Sequence, residues 1–81
     1  MLKLYQAEWC PYCARVRAKM TDLGITYVNI NVSRVKSDRK ELIDVSGQTG
    51  IPTLVTDDGQ VIADNDDAII AYLEKHCTVS Q

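Results

Sequence analysis

The spacing of apolar residues changes several times along the chain, and each change marks a predicted element. Leu2 and Leu4 alternate with polar residues, which is typical of a short strand. From Pro11 the apolar positions recur every three or four residues until Gly24, which indicates a helix. Residues 25–32 are rich in β-branched side chains and predict a second strand. The first 32 residues therefore predict a β-α-β unit.

The remaining pattern predicts a helix, a hairpin and a closing helix. A short helix is expected over residues 37–46, with Gly47 ending it. Two short runs, 53–56 and 60–63, flank a turn and predict an antiparallel hairpin. Acidic residues at positions 64–67 then favour the start of a last helix. The apolar sides of these two helices consist of Leu42, Ile43 and Val45 in the first and of Ile69, Ile70, Leu73 and Cys77 in the last.

This order of elements, β-α-β-α-β-β-α, predicts an α/β fold with a four-stranded mixed sheet flanked by helices. Strands joined through a helix are expected to be parallel with right-handed crossovers, and the last two strands to be antiparallel. A chain of 81 residues supports one hydrophobic core, and no linker, repeat or low-complexity stretch divides it. We therefore expect a single domain over residues 1–81.

Composition and charge exclude several classes of protein. The longest apolar run, residues 68–73, is far shorter than the ~20 residues that a membrane span needs. Glu8 interrupts the start too early for a signal peptide. The formal net charge is −2 and no basic tract is present, so nucleic acid is not an expected partner. Three cysteines, an odd number, argue against a secreted disulfide scaffold, and we expect a cytoplasmic protein.

The candidate chemistry lies in Cys10-Pro11-Tyr12-Cys13, between the first strand and the first helix. Pro11 suits the first helical turn because it lacks the N–H group that would have no partner there. The free N–H groups of Tyr12 and Cys13, with the positive end of the helix dipole, favour a thiolate on Cys10. Cys13 lies one turn inside the helix, where its sulfur can reach Cys10 but is less exposed. We therefore predict that Cys10 attacks disulfides and Cys13 resolves the mixed disulfide.

A zinc site is the other chemistry open to such a cysteine pair. Zinc needs four ligands, and the only histidine, His76, has Cys77 beside it. A cluster of Cys10, Cys13, His76 and Cys77 can be counted on this basis. Cys77 falls on the apolar side of the last helix, however, which favours a buried structural thiol. We expect no metal.

Three separate segments together resemble one known family. The segments that resemble the dithiol glutaredoxins are Cys10-Pro11-Tyr12-Cys13, Gly50-Ile51-Pro52 and Asp66-Asp67. The resemblance covers essentially the whole chain and implies the thioredoxin-like (glutaredoxin) fold. It also implies a glutathione-dependent thiol-disulfide oxidoreductase with glutathione as co-substrate and no tightly bound cofactor. The implied partners are proteins that carry disulfides or glutathionylated cysteines, and the expected state is a monomer.

The same resemblance implies where glutathione would bind. Pro52 has the position of a cis-proline that faces the active cysteine, and Ile51 would offer its backbone N–H and C=O to the cysteinyl part of glutathione. The N–H groups of Asn65 and Asp66 would bind the γ-glutamyl carboxylate. The side chain of Asp66 or Asp67 would bind the γ-glutamyl ammonium, with simple helix capping as the alternative role for these residues.

Two positions depart from the family pattern. Members commonly have a lysine three residues before the first cysteine, where this chain has Ala7, and often a Gly-Gly pair where it has Ala63-Asp64. Arg39, on the second helix, would then supply the cation for the glycine carboxylate of glutathione, with a solvated helix charge as the alternative. Tyr12 resembles the ring that packs beside glutathione, and plain surface packing is its alternative.

Three other functions use the same features. Ala7 and Trp9 also fit a redoxin of this fold with another electron donor, either a mycoredoxin-like protein using a different small thiol or a redoxin reduced by thioredoxin reductase. Residues 58–59 and 64–65, followed by Ile70 and Leu73, resemble the N-terminal domain of glutathione transferases, which need a helical second domain that we do not expect here. An iron–sulfur scaffold would use Cys10 and exogenous glutathione, but the Pro-Tyr pair is more typical of members that perform redox work.

Overall fold

The predicted order of elements is confirmed in a computed structural model that describes residues 1–77. Residues 78–81, the end of the predicted domain, lie outside the described residues. Within residues 1–77, no helix is long and apolar enough to span a membrane. The elements are β1 Lys3–Gln6, α1 Pro11–Asp22, β2 Val28–Asn31, a 3-10 turn Lys36–Asp38, α2 Lys40–Ser46, β3 Thr53–Val55, β4 Val61–Ala63 and α3 Asp66–His76.

The four strands form a mixed sheet of order β2-β1-β3-β4, which confirms the thioredoxin-like α/β fold. β1 and β2 are parallel, whereas β3 is antiparallel to both β1 and β4. The prediction that strands joined through a helix are parallel is therefore right for β2 and wrong for β3. Gln6 pairs with Asn31 and Tyr5 pairs with Thr53. The chain therefore leaves β2 and enters β3 at the same end of the sheet, beside the carboxyl end of β1.

The direction of β3 follows from the short helix that precedes it. α2 has seven residues and rises only about 10 Å. The connection between β2 and β3, which contains α2, therefore returns to the same end of the sheet from which it started. Pro52 immediately precedes β3, and α1 begins just beyond the end of β1. Because β3 runs antiparallel to β1, the predicted cis-proline segment lies at the same end of the sheet as the two cysteines.

The hydrophobic core lies between the sheet and the pair of helices α1 and α3. The apolar side of α1 is confirmed, but those of α2 and α3 are narrower than predicted. In α2 only Leu42 is buried, and Ile43 and Val45 are exposed because they flank the single face that this short helix turns inward. In α3, Ile70 is only partly buried. The buried core residues are Leu2, Leu4, Val16, Met20, Leu54, Ile69 and Leu73.

Cys77 caps the end of α3 and is half-buried, where a buried position inside the helix was predicted. The helix ends at His76, and the backbone N–H of Cys77 donates to the Leu73 carbonyl at 2.9 Å. Its side chain lines a cavity of about 580 Å³ together with Met1 and Asp57. Burial, and secondarily the charge of Asp57, raise the pKa of the Cys77 thiol, which makes it a poor nucleophile.

We expect Cys77→Ala to lower the free energy of unfolding by roughly 1 kcal/mol or less, since only a partly buried sulfur is lost. Thiol-disulfide turnover should stay at the wild-type rate, because Cys77 does not line the groove beside Cys10. Urea unfolding and a turnover assay on the same preparation check both statements. A fall in turnover at unchanged stability would show that Cys77 is a functional thiol.

Candidate active site

Cys10 and Cys13 are both free thiols at the start of α1, one turn apart. Cys10 is 6% exposed and Cys13 is fully buried. With Ala7 they form a small buried cluster, against which Ile51 packs. A slightly accessible thiol in front of a fully buried one supports the predicted roles, in which Cys10 attacks and Cys13 resolves.

The backbone holds Cys10 immediately before the first helical turn. Cys10 is the N-cap residue of α1 with extended dihedral angles, and Pro11 follows it as the first helical residue. The Cys10 N–H donates to the Ala7 carbonyl at 3.2 Å, and the Cys10 carbonyl accepts from Ala14 at 3.1 Å. A helix leaves its first N–H groups without an intrahelical partner. The amides that follow Pro11 are therefore donors suited to a thiolate on Cys10.

Burial raises the pKa of the Cys13 thiol to about 12. A hydrogen bond from the Ala7 backbone and the charge of Arg17 oppose this rise, and the neighbouring Cys10 adds to it. Cys13 is therefore protonated at neutral pH and must lose its proton as it attacks. This favours a resolving role, in which it reacts only once Cys10 is part of a mixed disulfide.

The raised pKa of Cys13 predicts a loss of stability at alkaline pH. An ordinary cysteine ionises near pH 9, whereas folded Cys13 keeps its proton up to about pH 12. Between these values the unfolded state binds fewer protons, so the free energy of unfolding falls as the pH rises. We expect a loss of about 0.5 to 1 kcal/mol between pH 9 and pH 10, measured by urea unfolding with a reductant present.

The matched control for this pH dependence is Cys13→Ala, which should lose the part of the slope between pH 9 and pH 10 that Cys13 contributes. The Cys77 thiol, whose pKa burial also raises, contributes to the slope in both proteins. Above pH 10 Tyr5 contributes as well, because burial and the Glu41 carboxylate raise its pKa to about 12. An unchanged slope in the variant between pH 9 and pH 10 would contradict the assignment to Cys13.

Arg39 supports the cis-proline segment from inside the protein. The Ile51–Pro52 peptide bond is cis, as the resemblance implied, and Pro52 is buried. The Arg39 side chain is only 5% exposed, and its Nε and Nη1 donate to the carbonyls of Ser33 and Thr49, both at 2.7 Å. The alternative of a solvated helix charge is therefore wrong, because Arg39 precedes α2 and turns inward.

Asp64 stands where family members often have the second glycine of a Gly-Gly pair, and its backbone shows how the chain does without that glycine. Its φ of 50° lies in the left-handed region, where glycine is the most favourable residue and aspartate is tolerated. Its N–H donates to the Pro52 carbonyl at 2.9 Å. A Cβ on Gly50 would lie 2.4 Å from the Asp64 Cγ, so this close approach requires glycine at position 50. The segment before α3 therefore packs against the cis-proline segment and is hydrogen-bonded to it.

A groove of about 200 Å³ combines the start of α1, the cis-proline segment and the start of α3. Asp64 is the one lining residue that the sequence analysis did not predict, although its position beside Asn65 was an available signal. Arg39 does not line this groove and instead borders a separate cavity of about 140 Å³ beside Tyr5. The residues that line the groove are Tyr12, Ile51, Pro52, Asp64 and Asp66.

The start of α3 is capped by Asn65 and paired with α1. The Asn65 Oδ1 accepts from the Ala68 N–H at 3.0 Å, so the capping role is present. Arg15 Nη1 donates to the Asp66 carboxylate and, at 2.9 Å, to Asp67 Oδ1. The sequence analysis missed Arg15, for which the available signal was a basic residue just after the cysteine pair in a chain with an acidic α3 start.

The zinc cluster that can be counted in the sequence does not assemble. His76 and Cys77 border the cavity near Met1, whereas Cys10 and Cys13 belong to the cluster around Ala7. In the described part of the chain, no group of three or more histidine, cysteine, aspartate and glutamate side chains could hold a metal ion.

Two known proteins are similar to this chain over more than two thirds of its length. An uncharacterised glutaredoxin-like 8.6 kDa protein in the rubredoxin operon of Clostridium pasteurianum is 28% identical over 75 residues, which are 93% of this chain and 100% of that protein. Glutaredoxin 3 of Escherichia coli strain K12 is 32% identical over 56 residues, which are 69% of this chain and 68% of that protein.

Solved structures of glutathione transferases share the fold. Glutathione transferase E6 from Drosophila melanogaster has a TM-score of 0.82 and 31% identity over 99% of this chain, but over only 36% of the transferase chain. An epsilon-class glutathione S-transferase from the housefly, Musca domestica, has a TM-score of 0.84 at 23% identity, and the match covers 99% of this chain and 37% of the transferase chain. The likeness thus extends to about a third of each transferase.

The family model is more specific than the shared fold. The model described as glutaredoxin matches residues 2–62, which include the cysteine pair, the cis-proline segment and all four strands except the end of β4. With the two free thiols at the start of α1 and the groove beside them, this match establishes that the chain belongs to the glutaredoxin family.

Proposed function

We propose that this protein is a glutathione-dependent thiol-disulfide oxidoreductase that reduces protein disulfides and protein–glutathione mixed disulfides. The observation that carries the proposal is the free Cys10–Cys13 pair at a helix start, beside a groove that contains the cis-proline. Family membership supports the same class of reaction. Cys10 is the attacking residue, and the buried thiol of Cys13 resolves.

The reaction proceeds by two thiol-disulfide exchanges. The Cys10 thiolate attacks the glutathione sulfur of a mixed disulfide, the S–S bond breaks, and the substrate protein leaves as a thiolate that takes up a proton. A second glutathione thiolate then attacks the sulfur of the bound glutathione, which releases Cys10 and oxidised glutathione. For a protein disulfide, Cys10 first attacks one of its sulfurs and forms a mixed disulfide with the protein. Cys13 then loses its proton and attacks the Cys10 sulfur, and the reduced protein leaves as a thiolate that takes up a proton. Two glutathione molecules later reduce the Cys10–Cys13 disulfide and leave as oxidised glutathione.

The groove would bind the cysteinyl and γ-glutamyl parts of glutathione. The backbone of Ile51, held beside Cys10, would pair with the cysteinyl part, and the amides of Asn65 and Asp66 at the start of α3 would bind the γ-glutamyl carboxylate. Tyr12 is 59% exposed and would pack beside the ligand. The proposed glutathione-binding residues are Tyr12, Ile51, Pro52, Asn65, Asp66 and Asp67, whereas Arg39, which is buried and does not line the groove, would support the cis-proline segment.

A protein substrate would meet an aromatic surface around Cys10. Trp9 and Tyr12 on either side of it are 48% and 59% exposed, and the Arg34 guanidinium lies 4.6 Å from the centre of the Trp9 ring. Exposed aromatic side chains are common anchors in protein interfaces. The proposed setting is a monomeric single domain in the cytoplasm, whose reducing thiol pool keeps such a cysteine pair cycling.

The decisive experiment compares two electron donors on one substrate, a glutathione mixed disulfide of a small protein. We expect NADPH oxidation with glutathione and glutathione reductase, and much slower oxidation with thioredoxin reductase alone. Cys10→Ser gives the background rate in both assays. Efficient turnover with thioredoxin reductase and none above background with glutathione would contradict the proposed donor.

A second candidate is the same chemistry with a different electron donor. Ala7 is buried at the position where glutaredoxins commonly have a lysine, so the cation expected beside the glycine carboxylate is missing there. Arg39 is turned into the protein interior and bonded to two carbonyls. These two observations weaken the binding of one end of glutathione and favour a redoxin that uses another small thiol or thioredoxin reductase.

A further inference from the structure

Gln6, the last residue of β1, is fully buried although its side chain is polar. Its Nε2 donates to Glu8 Oε2 at 2.9 Å and to Asn31 Oδ1 at 2.6 Å, and its Oε1 accepts a hydrogen bond from Arg17 Nη1. Burying an amide without such partners would be costly, so the position depends on all three contacts. None of these four residues lines the groove of the proposed glutathione site.

The same contacts hold Arg17 against the segment that carries the two thiols. Its Nη1 also donates to the Ala7 carbonyl at 3.4 Å, its Nε lies 3.7 Å from Glu8 Oε2, and its side chain is only 23% exposed. Ala7 forms one buried cluster with Cys10 and Cys13. The guanidinium is therefore fixed beside the residue that packs against both thiols, outside the groove.

The position of Arg17 on α1 favours Cys13 over Cys10. Arg17 lies one turn after Cys13, about 6 Å along the axis, so the two side chains share one face of the helix. Cys10 precedes the helix and lies about 10 Å from Arg17 along the axis. Burial raises the pKa of the Cys13 thiol, and the positive charge of Arg17 opposes that rise. The charge thus assists the thiol that must lose its proton to react.

We infer that Arg17, held in place by Gln6, is a positioning residue for the resolving step, in which its fixed positive charge favours the thiolate of Cys13. This inference rests on the proposed function and adds a residue to its two-cysteine route. In that step the Cys13 thiol gives its proton to water, and the thiolate attacks the Cys10 sulfur to form the new S–S bond. The bond between Cys10 and the substrate sulfur breaks, and the substrate thiolate takes up a proton, so the pair is oxidised and the substrate is reduced. Glutathionylated substrates that a second glutathione releases do not use Cys13, and Arg17 therefore assists only the reduction of protein disulfides.

The test follows the resolving step directly, with dithiobis-nitrobenzoate as the disulfide and Cys77→Ala as the parent protein, in which only Cys10 and Cys13 can react. Attack by Cys10 releases the first thionitrobenzoate and leaves the other half of the reagent on Cys10. Attack by Cys13 on the Cys10 sulfur then releases the second, at a rate that does not depend on the concentration of the reagent. Stopped-flow absorbance at neutral pH separates the two releases.

Arg17→Met, which removes the charge and keeps much of the apolar stem, should slow the second release by about 3- to 10-fold. The first release should stay within about 2-fold of the parent rate, because Cys10 is farther from the charge. Arg17→Lys keeps the charge and should restore most of the second rate, which a purely structural role of the guanidinium would not do. Arg17→Gln takes the place of Arg17→Met if the latter does not fold. Equal slowing of both releases, or a second release as slow in Arg17→Lys as in Arg17→Met, would overturn the inference.

Lys19→Met is the matched control, because Lys19 is also a partly buried cation of α1 that is paired with a glutamate. Its side chain is 28% exposed and its Nζ lies 3.0 Å from Glu74 Oε2. Lys19 does not share the helix face of Cys13, so both releases should keep the parent rates. A second release slowed as much as in Arg17→Met would show a general effect of charge on α1 and would refute the role of Arg17.

This assay contains no glutathione, and it therefore separates the inference from the proposed function. Failure of turnover with glutathione would reject the proposed donor, while the second release would still decide the role of Arg17. A parent protein that releases only one thionitrobenzoate would overturn the inference, because Cys13 would then not resolve.

Discussion

Replacing Cys10 with serine is expected to reduce turnover to the uncatalysed background, whereas Cys13→Ser should still reduce a glutathione mixed disulfide. The physical reason is the position of each thiol: Cys10 precedes the first turn of α1 and retains some access, while Cys13 is fully buried with its pKa raised to about 12. Cys13→Ser should fail only on protein disulfides that need both thiols.

Both variants are measured on a glutathione mixed disulfide and on a protein disulfide, with Cys77→Ala as the control that removes the third thiol. The control should behave as the wild type on both substrates. Equal loss of activity in Cys10→Ser and Cys13→Ser on the glutathione mixed disulfide would reject the assignment of an attacking and a resolving cysteine.

The second large effect is expected from Arg39→Ala, which should lower the free energy of unfolding by about 2 to 4 kcal/mol. The guanidinium is buried and bonded to the carbonyls of Ser33 and Thr49, and its removal leaves both acceptors without this donor. Thr49 lies two residues before Ile51, so we also expect a higher KM for a glutathione mixed disulfide. Urea unfolding and KM measurements at a temperature where the variant is folded check these expectations.

Two substitutions separate the structural effect of Arg39 from a ligand contact. Lys40→Ala removes an exposed charge next to it and should change neither quantity. Arg39→Lys keeps the charge but cannot match the two guanidinium bonds, so most of the stability should still be lost. Unchanged stability in Arg39→Ala would refute the anchoring role. Lost stability with an unchanged KM would show that Arg39 does not contact the glycine carboxylate.

Local patterns in the sequence were sufficient to predict the elements and the position of the cysteine pair at the start of α1. The three- and four-residue spacing in α1, the placement of Pro11 and the glycine after α2 are local signals, because helix periodicity and capping depend on neighbours within about one turn. The order of exposure of Cys10 and Cys13 follows from the same local geometry. The resemblance to the dithiol glutaredoxins added the cis-proline, which spacing alone does not indicate.

The direction of β3, the inward turn of Arg39 and the ion pairs of Arg15 were decided only by the tertiary structure. Each depends on residues far apart in the chain: Tyr5 with Thr53 across the sheet, and Arg15 with Asp66 between two helices. Hydrophobic spacing carries no information about which strand edge a chain re-enters or which acid a surface cation meets. Packing of the sheet against α1 and α3 fixes those distances, so the sequence by itself determined the elements and the cysteine pair, and only the fold determined which residues surround that pair.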